Sequence, residues 1–249
     1  MTTNSSERVI IPTIFKHIPQ LVAGVSTRHG GKSTEAYQTL NLGLHTDDHP
    51  DRVQQNLSLF CHDLGIPHQA LARSYQVHGD IIWETKEPGY TSGYDAIIAV
   101  APGIFAGVGV ADCCPILLAD PNKKIAAAIH AGWKGTVAQI LSKTVRYMMA
   151  NHGTKPEDIL AYIGPCISEA HFEVGDEVAE QFNPAHKNLH GPKWHVNLKE
   201  ANADQLRQLG VHQIEIDEAC TVGHHADFFS HRKEKGVTGR MLAVIGFSA

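Results

Sequence analysis

The 249-residue sequence predicts a single α+β domain built on mixed β-sheets. Three observations carry that expectation. Short apolar runs rich in β-branched residues interleave with helical patterns, without the strict strand-helix alternation of a doubly wound fold. Two of these runs, residues 116–120 and 125–129, flank Pro121-Asn122-Lys123-Lys124, whose Pro and Asn favour a turn, and so read as one antiparallel hairpin. The chain is also 43% apolar, enough for one substantial core, with no internal repeat or low-complexity linker.

Composition excludes several partners. Twenty-one basic against 26 acidic residues give a formal charge of −5, and the local basic run Arg232-Lys233-Glu234-Lys235 is interrupted by an acid, so nucleic acid is not expected. The longest apolar stretch, residues 96–119, is broken by Pro102, Gly103, Gly107, Gly109, Asp112 and Pro115 and reads as buried strands rather than a membrane span. The N-terminus has no basic region followed by an apolar one, so no secretion signal is read and the cytoplasm is the expected compartment. Five scattered cysteines without a CxxC argue against a disulfide framework.

Taken in order, residues 1–10 lead from a polar end into a first strand, and residues 21–26 form another. Residues 27–33 set the pair Gly30-Gly31 among cations, a composition that suits an anion-binding nest, with Arg28 as the phosphate candidate. Asn41 follows in a turn-rich segment, where it could hydrogen-bond either the backbone or a ligand, and the residues alone favour the backbone. A helix begins at Asp51, carries Val53, Leu57, Phe60 and Leu64 on one face, and stops at Gly65; Cys61 and His62 on it read as packing or surface residues. Residues 81–83, 94–98 and 104–110 are strands, followed by the hairpin. Helices are expected over 136–151, over 169–182 with a break or late start near Gly175, and from an Asn197 cap to Leu209. Ile214 and Ile216 mark a further strand, and residues 238–247 end in a closing one.

Chemistry gathers at the open end of the hairpin. Pairing about the turn puts residues whose numbers sum to about 245 opposite each other, so His130 faces Pro115 and lies close to Cys113 and Cys114. Thiolate and neutral imidazole are good zinc ligands, and His78, held between a strand-like run and Gly79, is the natural third. Three ligands would leave the open position that catalytic zinc uses. Asp112 could hold a ligating imidazole by its other nitrogen. A thiolate nucleophile paired with an imidazole base, or a buried cysteine beside a core histidine, fits the same residues.

The segments Ser26-Thr27-Arg28-His29-Gly30-Gly31, Leu40-Asn41-Leu42-Gly43, Gln76-Val77-His78-Gly79, Ala111-Asp112-Cys113, His130-Ala131-Gly132-Trp133-Lys134-Gly135, Ile163-Gly164-Pro165 and Phe229-Ser230-His231-Arg232 resemble the YfiH family, also called the laccase-domain or polyphenol oxidase family. The likeness runs in the same order along nearly the whole chain. It implies a single-domain, four-layer αββα sandwich spanning residues 1–249, with a cysteine-hydrolase-like fold, and zinc held by His78, Cys113 and His130, which would then be the catalytic centre. It implies phosphorolysis of adenosine, inosine, guanosine or methylthioadenosine, and deamination of adenosine. Arg28, Asn41 and Gln76 are then the substrate and phosphate candidates, with Asp112 behind the ligands. Cys114 departs from the apolar residue many relatives carry there, which leaves the liganding thiol open to a shift of one place.

Alternative activities have sequence tests. A multicopper oxidase needs paired HxH ligands, and none of the 17 histidines forms such a pair, though one His₂Cys site could hold a single copper. The HxE…PCxxC signature of cytidine-type deaminases is absent. A structural zinc clip in an interaction domain needs a fourth ligand, for which Cys114 or Cys166 is available. His224, His225 and His231 have no assignment from sequence, and neither does the oligomeric state.

Overall fold

The protein is described by a computed structural model covering residues 5–249. In chain order its strands are β1 (Val9–Ile10), β2 (Leu21–Ser26), β3 (Leu71–Tyr75), β4 (Ile82–Thr85), β5 (Gly89–Ser92), β6 (Ala96–Ala99), β7 (Phe105–Val110), β8 (Cys114–Asp120), β9 (Ile125–Ala131), β10 (Leu160–Ile163), β11 (Glu173–Val174), β12 (Lys187–His190), β13 (Lys193–Val196), β14 (Gln213–Ile216) and β15 (Met241–Phe247). The helices are α1 (Ser5–Arg8), α2 (Pro50–Asp63), α3 (Trp133–Val137), α4 (Ile140–His152), α5 (Asp176–Ala179) and α6 (Leu198–Gln208).

Two six-stranded sheets dominate, with strand orders β1-β2-β15-β7-β3-β5 and β14-β10-β8-β9-β6-β4. Both are mixed: β3 pairs in parallel with β5 and β7, β4 with β6 and β10 with β14, while the other neighbours are antiparallel. The sheets meet face to face, Val25, Val108 and Ile245 of the first packing among Ile97, Leu117 and Tyr162 of the second. The outer face of the first is covered by Leu57 and Phe60 of α2, over Leu71, Phe105 and Leu242. The outer face of the second is covered by Leu141, Val145 and Met148 of α4 and by Leu206 of α6, over Ile98, Ile116, Leu118 and Ile129. The layers therefore run helix, sheet, sheet, helix, as the family resemblance implied. Strand β8 is apolar on both faces because both are buried, Ile116 and Leu118 turning out and Leu117 turning in. Each such side chain contributes about 1.5–3 kcal/mol of burial.

The hairpin forms with the expected register, Pro115 opposite His130 and Ile116 opposite Ile129. Residues 96–119 are strands β6, β7 and most of β8. Among the described residues no helix is long and apolar enough to cross a membrane.

Two helical expectations change. The segment 136–151 starts earlier, at Trp133, and breaks at Gln139, whose φ of 61° is left-handed. Asn202 donates to the Thr136 hydroxyl and Gln205 to the Thr136 carbonyl, drawing the short α3 toward α6 while α4 restarts beside it. The segment 169–182 is a 3-10 turn at Glu169–His171, then β11, and only α5 is helical. Its apolar spacing is overridden by pairing with β13, Val174 opposite Trp194. The β12–β13 hairpin and the edge strand β5 carried no apolar alternation strong enough to be read in advance.

Candidate active site

Cys113 directly precedes β8 and His130 lies near the end of β9, so the hairpin brings both to one end of the second sheet. His78 arrives from the loop after β3, in the first sheet, with a left-handed φ of 58°. The His78, Cys113 and His130 donor atoms lie within 4.8 Å of one another, the one such group of three His, Cys, Asp or Glu side chains among the described residues. The rings of His78 and His130 meet edge to face at 4.8 Å between centroids. Gly132 opens the space for this approach: a Cβ there would lie 2.9 Å from the Cys113 Sγ and 3.3 Å from the His78 ring.

The carboxylate behind the cluster is Asp95, which sequence reasoning missed. It precedes β6, whose Ala96 pairs with Ile129, and so it falls beside His130. Fully buried, it accepts N–H bonds from Val77, His78 and Gly79 at 2.8–3.1 Å and binds His130 Nδ1 at 2.7 Å. Burial works against its charge, but the bond from His130 and the backbone donors hold the carboxyl below its usual range. An ionised carboxylate only accepts, so His130 carries its proton on Nδ1 and presents Nε2 to the cluster. One side chain thereby fixes a ring and holds a strained loop. The signal available in the sequence was its place just before a strand bonded to that of His130.

Asp112 does not take the orienting role expected of it. Its carboxylate accepts from the Thr221 hydroxyl at 2.5 Å and from the Arg232 backbone N–H at 2.6 Å, tying two later loops to the rim, while no imidazole reaches it. Cys114 points the other way along β8, its Sγ 2.9 Å from that of Cys166 inside the outer core, so neither thiol joins the three donors. Burial opposes charge on Cys113, yet His130 and His78 beside it bring its thiol down to about 6. Burial likewise opposes charge on His130, and the Cys113 thiolate with Asp95 raises it to about 9. Each group favours the charged form of the other. Two imidazoles and one easily ionised thiol form a donor set that suits zinc or copper, the ion displacing the Nε2 proton of His130 as it binds.

A cavity of about 390 Å³ opens from this cluster. It runs past Gln76, Gly109 and Arg240 to His45, Tyr75, Tyr90 and Arg73, with Phe172, His231 and Arg232 beside the cluster. Its wall carries three arginines against the single carboxylate of Asp112, in a chain whose formal charge is −5. Gln76 lines it, but its amide is engaged at both ends by Gly109, donating to the carbonyl and accepting from the N–H at 2.8 Å each.

Two predicted ligand residues are structural instead. Arg28 lies outside the cavity wall and is buried: it donates to the carbonyls of Gln38 and His225 at 3.0 Å, pairs with Glu234 at 3.2 Å and stacks on Phe229. The adjoining loop is no anion nest, because the Gly31 N–H is taken by Thr39 and the Lys32 N–H by Asn56, and a Cβ on Gly31 would meet the Thr39 carbonyl at 2.2 Å. Asn41 is fully buried and serves the backbone, accepting from the Gly43 and Arg240 N–H groups at 2.9 Å. Of the unassigned histidines, His231 lines the cavity, His225 meets Arg28 and His224 accepts from the Cys220 N–H. Cys61 is core, its thiol pushed up to about 11 by burial.

Comparison with known proteins gives a consistent picture. The family described as multi-copper polyphenol oxidoreductase laccase matches residues 22–248. A protein of Deinococcus radiodurans named purine nucleoside phosphorylase is 40% identical over 229 residues, covering 89% of this chain and 87% of its own. Purine nucleoside phosphorylase YfiH of Escherichia coli K12 is 37% identical, covering 88% and 91%. The crystal structure of YlmD from Geobacillus stearothermophilus superposes with a TM-score of 0.93 at 30% identity, covering 100% of this chain and 99% of the other.

Proposed function

This chain belongs to the YfiH-like laccase-domain family, and on that premise we propose that it is a zinc-dependent purine nucleoside phosphorylase of the cytoplasm with adenosine deamination as a second activity. Phosphorolysis is supported by the relatives named for it. The observation that carries the reading here is the His78–Cys113–His130 cluster opening onto a cationic cavity. About 390 Å³ lies in the range of small-molecule sites. Adenosine, inosine, guanosine and methylthioadenosine are the proposed nucleosides, with phosphate as the second substrate.

His78 Nε2 or Nδ1, Cys113 Sγ and His130 Nε2 are the proposed zinc ligands. Bound zinc supplies Lewis acidity and brings the pKa of a water molecule toward about 7. Asp95 keeps a proton on His130 Nδ1, so Nε2 is the nitrogen that faces the cluster and would ligate once its own proton is displaced. Gln76 holds the Gly109 backbone at the cavity wall, and Arg240 and Arg232 set a positive field that draws phosphate in. Phe172 and Ile167 give the cluster end an apolar wall suited to a purine face.

Zinc is proposed over copper because the described residues assemble one His₂Cys group, whereas four-electron reduction of dioxygen in the multicopper manner needs several linked copper ions. A second reading has its own observation: the depressed thiol of Cys113 beside the raised imidazole of His130 is a thiolate–imidazolium pair, the resting form of a cysteine nucleophile and its histidine partner. One experiment separates these. Protein purified without an affinity column is analysed for metal and incubated with adenosine and phosphate. Adenine with ribose 1-phosphate supports the phosphorylase, inosine the deaminase. Unchanged adenosine with oxygen-dependent turnover of a phenol that tracks copper would refute the proposal.

A further inference from the structure

We infer that Arg73, at the end of the cavity away from the metal cluster, is a phosphoryl-oxyanion ligand. The inference rests on the phosphorylase reading for its choice of anion, and it replaces Arg28, whose guanidinium is fully engaged elsewhere. Arg73 stands on β3 between the edge strand β5 and β7, its register partners being Tyr90 and Gly107. Only 8% of it is exposed. Its Nη2 donates to the Leu42 carbonyl at 2.8 Å, and its Nη1 is buried without a hydrogen-bond partner. Among the described residues no carboxylate pairs with it: burial brings its pKa down to about 10, and only the Tyr90 phenol and the Cys61 thiol act on its charge in the other direction.

A buried guanidinium without a counter-ion is costly, and an orphaned N–H on it adds to that cost. A fold tolerates such a group where a ligand completes it. An oxyanion does so in both charge and geometry, because the guanidinium fork matches two oxygens of a phosphoryl group. Tyr90 controls the approach. It is 48% exposed, it sits on the last strand of its sheet, and its hydroxyl is held by His45 rather than by the core. Tyr90 is thus the neighbour of Arg73 in register, on the solvent edge of the sheet.

Arg240 lines the same cavity as Arg73 and the His78–Cys113–His130 cluster, and its Nη1 alone is occupied, by the Thr238 and Gly239 carbonyls at 2.8 and 2.9 Å. The two arginines therefore make a cationic track along one wall. The anion has two possible sources, free phosphate or a phosphate carried by the nucleoside itself at its 5′ position.

The test uses the zinc-loaded protein and two variants. Arg73→Met removes the cation, and Arg73→Gln removes it while keeping a polar side chain, in case the first fails to fold. Inorganic phosphate binding is measured by calorimetry, and KM is measured for phosphate, adenosine and adenosine 5′-monophosphate. The expected result is phosphate affinity about ten- to a hundredfold weaker in the variants, with unchanged zinc content and adenosine KM. The same loss seen only for the monophosphate would assign the site to a 5′-phosphate and still support Arg73. Weakened phosphate binding in a protein that performs no phosphorolysis would uphold Arg73 and overturn the proposed function. Wild-type affinity for both anions in folded Arg73→Gln would overturn the inference.

Discussion

Asp95 is the residue on which the arrangement of the cluster depends. Both its oxygens are filled by donors, so replacing either oxygen with an NH₂ sets two donors against each other. Asp95→Asn should therefore loosen the His78 loop and lower zinc affinity by about ten- to a hundredfold, as read by competition with a chromogenic chelator. Retained affinity would show that the carboxylate does not orient the ligands. Cys113 gives a second expectation. With its thiol near 6 in the metal-free protein, it is protonated below that pH and thiolate above it. Alkylation by iodoacetamide should rise through about pH 6 and level off by about pH 7.5, where an ordinary thiol still climbs toward about 8.5. A midpoint near 8.5 would remove both the depressed thiol and the nucleophile reading. The three cluster residues were legible because a hairpin register and a short motif name them. Asp95 was not, because its role comes from three backbone N–H groups and a ring that meet only after two strands pair.

At the scale of the elements, the glycine pair beside Arg28 looked like an anion cradle because composition cannot report where N–H groups point. In the fold they turn inward, to Thr39 and Asn56, and Arg28 clamps the N-terminal loop to the segment carrying His225, Phe228 and Glu234. Arg28→Ala leaves Glu234 without its guanidinium partner and should cost about 3 kcal/mol of stability. A lowered melting temperature with unchanged KM for phosphate in the folded fraction is the expected outcome, and a raised KM would return Arg28 to the site. The hairpin was readable to the register because its turn residues and two-sided burial agree. The segment 169–182 was misread because its helical spacing competes with a strand partner, β13, that shows little alternation of its own. Local pattern decides an element where the tertiary partner agrees with it, and here β13 did not.

Across the whole molecule, the layer order and the place of the site were both within reach of the sequence, while the sign of the cavity's field was not. A chain of formal charge −5 lines its cavity with three arginines, which are far apart in sequence and converge only at the junction of the two sheets. The proposed ligands straddle the same junction: His78 comes from a loop of the first sheet, Cys113 and His130 from the second. Zinc would therefore bridge layers already held together by the apolar face between them. Chelation should lower the melting temperature by an amount that follows free zinc, as RT ln(1 + [Zn]/Kd) requires, while circular dichroism keeps its native form. Loss of structure on chelation would contradict this. The order of events in time follows. In small zinc domains the ion must be at hand for the chain to fold at all. If the shell closes first here, as the apolar face between the sheets favours, protein synthesised when zinc is scarce would stand by as finished, inactive molecules, and turnover would begin when the ion arrives, with no new synthesis and no refolding.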